Sequence, residues 1–137
     1  MLAAGDGEDG FIRAGDLAQL GLGADLVVLS ARRSGGGPVI GGEGVQSFGA
    51  PHLAAGARAV VATYWEVGDA AAARAMAHFY DALGRGRSAD EALREMQRRL
   101  RRDGAPAREW SAFAVVGDGG VRPVARRRSW IARLFGR

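Results

Sequence analysis

Asp25-Leu26-Val27-Val28-Leu29-Ser30-Ala31-Arg32-Arg33-Ser34-Gly35-Gly36-Gly37 is the stretch on which the reading of this chain turns. It opens with an aliphatic run long enough for a strand and too short for a helix. Val27 and Val28 are β-branched, and Leu26 and Leu29 keep both faces apolar, as in a strand covered on both sides of a parallel sheet. A small-residue, glycine-rich turn follows. In open α/β sheets, chemistry sits just beyond the carboxyl ends of such strands. Here that place is held by Ala31, Arg32 and Arg33.

Working outward, the strand is expected over residues 25–31. Before it, Met1 to Gly10 reads as loop or edge, and Asp16 to Leu20 as one short helical turn ended by Gly21 and Gly23. After it, Gly35 to Gly44, with Pro38, has few steric limits and can wrap closely around a ligand or another backbone. Val45 to Ala55 reads as a helix with Val45, Phe48 and Leu53 inward, bent near Pro51 and closed by Gly56. Ala57 to Trp65 is a second buried strand.

Asp69 is expected to cap a helix running to Leu83, with Ala73, Met76, Tyr80 and Leu83 on its inner face and Gly84 at its end. Ser88-Ala89-Asp90-Glu91 is a capping box. The helix it opens should bury Ala89, Leu93, Met96 and Leu100, and carry Arg94, Arg98, Arg101 and Arg102 outside, several near the end that favours cations. After Gly104 to Pro106, Ala112 to Val116 forms a third strand ending at Gly117. Strands alternating with helices, without hairpin signals, imply a parallel-leaning sheet built from right-handed crossovers.

Composition narrows the function classes. The 137 residues make one small domain or part of one, and 47% hydrophobic content suffices for a core, although much of it is alanine. There is no cysteine, which excludes disulfides, thiolate metal sites and any cysteine mechanism. All 19 basic residues are arginine. Residues 1–69 hold 4 Arg against 8 acids, and residues 70–137 hold 15 Arg against 7 acids, so net charges of −4 and +8 divide the chain. A basic half of this kind can attract nucleic acid, anionic lipid or an acidic partner. No apolar stretch approaches the ~20 residues of a membrane span, and no signal-like segment opens the chain, so the expected compartment is cytoplasmic.

Leu26 to Gly35, together with Gly41-Gly42-Glu43-Gly44, resembles the CHAT family, caspase-like cysteine peptidases of the group that includes separase. Further matches are Leu53 to Arg58, Val60 to Trp65, Phe79-Tyr80, Ala92-Leu93 and Trp110 to Asp118. The resemblance implies an α/β, caspase-like three-layer fold, a mainly parallel sheet with helices on both faces. Its N-terminal strands are expected to be missing. Residues 1–118 would be a partial CHAT domain and residues 119–137 a basic tail.

In that family the strand ends Leu-Ser-Ala-Cys, and the cysteine is the nucleophile, paired with a histidine from an upstream strand. By this resemblance Arg32 stands at the nucleophile position, and the histidine segment is expected to be absent from these residues. A guanidinium remains protonated and has no nucleophilic lone pair at neutral pH. Ser30 and Ser34 lack a base and an orienter visible in the sequence. His52 and His78 match no catalytic motif and read as structural or solvated.

Trp65-Glu66-Val67-Gly68-Asp69 resembles the Trp-Asp-Val-Thr-Asp of separases, whose acids face a basic substrate side chain. The substrate-pocket candidates are therefore Glu43, Trp65, Glu66 and Asp69, and Arg32 is expected to pair with Glu43 or Asp69. No metal site and no cofactor is expected, and the absence of lysine disfavours the glycine-rich loop as a phosphate loop.

The reading is a non-catalytic binding or regulatory module, a pseudoenzyme. One alternative is the C-terminal part of a CHAT cysteine endopeptidase with a truncated or altered gene model. Another is a basic binder of nucleic acid or a membrane surface. The expected partner is a protein or peptide, including a chain or domain that supplies the missing N-terminal half. Nucleic acid is disfavoured because aromatics are too sparse among the arginines. A membrane surface is conceivable through the amphipathic residues 126–135.

Overall fold

The computed structural model describes residues 14–19, 21–29 and 44–124. Helix α1 (Ala14–Gln19) leads to strand β1 (Leu26–Val28), followed by α2 (Gly44–Ala54), β2 (Ala59–Thr63), α3 (Asp69–Gly84), α4 (Ala89–Arg102), α5 (Ala107–Trp110) and β3 (Phe113–Gly117). The expected end of the opening strand at Ser30 and Ala31, the glycine-rich loop to Glu43, Met1 to Gly10 and residues 125–137 lie outside the described residues. So do the side chains of Val45 and Phe48.

The sheet order is β1-β2-β3. β1 pairs with β2 in parallel, Val27 opposite Val60, and Leu29 N–H extends the ladder to Val61 O at 2.8 Å. β3 pairs with β2 antiparallel, Val60 opposite Val116 and Thr63 opposite Phe113. The expectation of a mainly parallel sheet therefore meets one parallel and one antiparallel junction among the described strands. The reason is the number of helices between them. One helix returns a chain to the end where its strand began, and the next strand runs parallel. Between β2 and β3 there are two long helices, α3 down and α4 back up. The chain is delivered to the carboxyl end of β2 and must enter β3 in the opposite sense.

Helices cover both faces. α2 packs on β2 and β3, with Gly49 close to Val116. On the other face α3 and α4 close a core in which Val61 and Phe113 meet Ala71, Ala75, Phe79, Ala82, Leu83, Ala92, Met96 and Leu100. β2 is buried through Ala62, as expected, and occupies the middle of the described sheet. In α3 the buried positions are Ala71, Ala75, Phe79, Ala82 and Leu83, whereas Ala73 and Tyr80 are exposed and Met76 is half-buried. The inner face is thus rotated from the expected one. α4 buries Ala89, Met96 and Leu100 as expected, adds Ala92, and leaves Leu93 half-buried.

Local signals set the ends. Gly56 takes φ 102°, its N–H meets Leu53 O at 3.0 Å, and Ala57 N–H meets His52 O at 3.0 Å, the left-handed closure that glycine permits. α2 runs through Pro51. α3 ends at Gly84, as expected, while the left-handed closure falls at Gly86 (φ 82°), whose N–H meets Leu83 O at 2.8 Å. At Ser88 the capping box forms, with Ser88 N–H donating to Glu91 at 2.9 Å and Glu91 N–H to the Ser88 hydroxyl at 3.4 Å. Asp69 is not the cap of α3. The ladder starts at Gly68, whose carbonyl accepts Ala72 N–H at 2.9 Å, and this draws Asp69 into the first turn. α5 had no counterpart in the sequence reading. Beyond β3, Val121 is buried against Ala59 and Ala89, and its carbonyl accepts Ala89 N–H at 3.0 Å.

A ring of charges joins α3 to α4. Arg85 donates to Asp81 and to Glu95 (2.5 Å), while Arg99 donates to Asp81 (3.0 Å) and Glu95 (2.8 Å). The hydrogen bond from Arg85, with a further one from Arg99, holds the Asp81 carboxyl below the ordinary carboxylate value of 3.8. A carboxyl depressed in the folded state stabilises it above the unfolded pKa, and that contribution disappears as pH falls through the folded value. The urea midpoint is expected to decline between about pH 5 and about pH 2, more steeply in the native chain than in Asp81→Asn. An equal gap between the two proteins at both ends of that range would show that the ring adds nothing to stability.

Candidate functional site

The two ends of the sheet differ. At the amino end of β1 and β2, Arg58 donates to Asp25 at 3.1 Å and to Asp118 at 2.6 Å, bracing the starts of both parallel strands against the end of β3. The Asp118 bond, then the Asp25 bond, raises the pKa of the Arg58 guanidinium above its ordinary value. This end is held together by backbone and charge.

The carboxyl end is built differently. β2 leaves the sheet at Thr63, and Tyr64 N–H is held by Ala112 O at 2.8 Å. Tyr64 and Trp65 then stack, with centroids 6.0 Å apart and planes at 29°. The indole N–H of Trp65 donates to Arg108 O at 2.7 Å, which fixes the ring against α5. The pair remains open to solvent, Tyr64 at 55% and Trp65 at 44% exposure. Glu66 is exposed beside them. Val67 is buried in the main core, so the connection is anchored between its outward residues and the start of α3. Arg74 on α3 donates to Glu109 on α5 at 3.1 Å and ties the same corner.

Of the expected pocket residues, Trp65 and Glu66 thus lie on the β2–α3 connection at the carboxyl end of β2, and Asp69 opens α3. Glu43 and Arg32 lie outside the described residues, and with them the expected pairing of Arg32 with Glu43 or Asp69, and the two nearby hydroxyls, Ser30 and Ser34. Tyr64 and Arg108 were not singled out from the sequence. Tyr64 was within reach, since adjacent exposed aromatics after a strand are a recognisable signal. The part played by Arg108 was not, because a backbone carbonyl acts there and its side chain does not. His78 sits in α3 with Nε2 3.8 Å from Asp103, and His52 is half-buried in α2. Among the described residues no group of His, Asp and Glu is placed to hold a metal ion, and no helix is long and apolar enough to cross a membrane.

The CHAT domain family model matches residues 1–118, a span that takes in the opening strand, the β2–α3 connection and all of β3. The chain belongs to the CHAT family. Neither a curated protein nor a solved structure gives a significant match. Membership gives the carboxyl end of β1 and β2 its interest. The match includes Trp65 to Asp69, which follow the carboxyl end of β2.

Proposed function

We propose that this CHAT domain is a caspase-like three-layer module that binds a protein or peptide segment at the carboxyl end of its sheet and does not cleave it. A single observation carries the reading: the chain has no cysteine, and by its resemblance to the family Arg32 stands where the nucleophile would be expected. A permanently protonated guanidinium cannot attack a carbonyl carbon. It can, however, make charge-assisted hydrogen bonds with the backbone carbonyls or carboxylates of a bound segment. The stacked Tyr64–Trp65 pair supports the same reading, because rigid aromatics part-open to water offer contact area at low entropic cost. Glu66, beside them, and Asp69, in the first turn of α3, add negative charge suited to a basic side chain.

The test is a titration of the chain with a fluorescent decapeptide carrying a central arginine, with a glutamate-centred peptide as control. Saturable binding of the arginine peptide is expected, and mass spectrometry should find it intact. Trp65→Ala should weaken binding about tenfold. Trp65→Phe, which keeps an apolar ring and loses only the bond to Arg108 O, should weaken it less. Cleavage of the peptide by the purified chain would overturn the reading, and so would equal binding by Trp65→Ala.

A further inference from the structure

The charges of α4 fall into two sets. Those on its flanks are matched: Glu95 and Arg99 belong to the ring with Asp81 and Arg85, and Glu91 faces Arg122 at 3.2 Å while completing its cap. Those on its outer face are not. Arg94, Arg98, Arg101 and Arg102 are exposed, and none makes an ion pair among the described residues. They stand opposite the buried Ala92, Met96 and Leu100, within about 12 Å of helix axis. No acid lies among the fully exposed positions between Ala92 and Arg102.

Helix stability does not account for this strip. Arg101 and Arg102 lie in the last turn, where the helix dipole favours cations. Arg94 and Arg98 lie before it and gain little. Arg94–Arg98 and Arg98–Arg102 are like-charged pairs four residues apart, which weaken a helix. A bound anion would remove that penalty.

We propose that the outer face of α4 docks a short acidic segment of a partner protein whose carboxylates recur about one helical turn apart. Guanidinium forks match carboxylates in bidentate geometry. A helix with acids four residues apart repeats them every ~6 Å, the spacing of Arg94, Arg98 and Arg102 along α4. Exposed acids bound the strip, Asp90 at its amino end and Asp103 just past its carboxyl end, and they limit the occupant to a short segment. A continuous polyanion would run over them. The outer face also has no aromatic side chain on which a base could stack.

The probe is an alanine-based, fluorescein-labelled helical peptide with glutamates at every fourth position, titrated into the 137-residue chain by fluorescence anisotropy. A scrambled peptide of the same composition and a thymidine oligonucleotide of the same charge serve as comparisons. The patterned peptide is expected to bind more tightly than either, and more weakly as salt is added. The variant Arg94→Gln/Arg98→Gln/Arg101→Gln/Arg102→Gln should lose about tenfold or more in affinity, whereas Arg87→Gln, just outside the strip, should bind as the native chain does. If the fourfold variant loses its helical circular dichroism, Arg94→Gln/Arg98→Gln carries the same test. The proposal is overturned by unchanged binding in the folded variant, by no saturable binding, by equal affinity for the scrambled peptide, or by tighter binding of the oligonucleotide. Self-association of the native chain that the variant abolishes would also overturn it, by making a second copy the occupant.

Discussion

Gly117→Ala is expected to cost about 3 kcal/mol or more of folding stability, moving the urea midpoint down by roughly 1–2 M. Two effects combine at this position. The backbone takes φ 95°, which a side chain tolerates poorly. A Cβ would also fall 2.5 Å from Arg58 O, 2.9 Å from Leu53 Cδ2 and 3.3 Å from Ala59 Cα. The leucine tip can give way, but the carbonyl cannot easily do so. Arg58 O already accepts Asp118 N–H at 2.9 Å, and Arg58 itself is tied to Asp118 and Asp25. Any shift would therefore pull on the whole amino end of the sheet. Gly84→Ala is the matched control, because it has nothing within 4 Å and lies at a helical position, where alanine is favoured. A Gly117→Ala midpoint close to the native one would mean that this end of the sheet is far softer than its hydrogen bonds indicate.

The same corner shows what the sequence could and could not tell. Features decided within a few residues were legible. The capping box at Ser88 and Glu91 and the closure at Gly56 depend on neighbours along the chain, and both form. The inner face of α3 was not legible. Ala73-Met76-Tyr80-Leu83 and Ala71-Ala75-Phe79-Ala82 are both helical stripes, and in so alanine-rich a segment apolarity hardly distinguishes them. Packing chooses the second, placing Phe79 inside and leaving Tyr80 52% exposed. The direction of β3 was hidden differently. Five apolar residues read the same either way, and only counting two helices between β2 and β3 gives the sense. α5 was missed because a single turn after the Gly104-Ala105-Pro106 break has no periodicity to detect.

At the candidate site, the residue types were legible and their anchoring was not. Trp65 and Glu66 stood out by their likeness to a family motif, and the structure places them on the connection leaving the central strand. What fixes Trp65 is the carbonyl of Arg108, 43 residues away, on an element that the sequence did not reveal. Burial of Val67 then decides which way the connection faces. The proposed binding surface, assembled from β2, α3 and α5, would inherit its geometry from the core beneath it. Loss of core packing should therefore reach this site before it reaches the braced end at Arg58.

Phe79→Ala puts that dependence to the strongest test, with an expected cost of about 3–5 kcal/mol. Phe79 is fully buried and, with Met96, Val60, Val61 and Val121, is among the largest fully enclosed side chains of the described residues. The core cluster it belongs to mixes small residues, Ala71, Ala75, Ala82, Ala92 and Ala112, with larger ones, Val61, Leu83, Met96, Leu100 and Phe113. Alanines have no rotamers with which to fill a vacated ring, and helices already in close contact through them have little room to approach further. How far Met96, Leu83 and Leu100 repack into the vacated space sets where in that range the cost falls. Against a total of about 5–15 kcal/mol for a domain, this loss brings the native state close to its limit. Tyr80→Ala, one residue on, removes a ring that meets Phe79 edge-on at 5.7 Å but stands half in water, so it should cost about 1 kcal/mol. Urea unfolding followed by circular dichroism, read beside peptide binding at Trp65, separates the outcomes. Phe79→Ala should lose both stability and affinity, and Tyr80→Ala should keep most of both. Equal costs for the two would mean that the inner face of α3 has been placed on the wrong stripe.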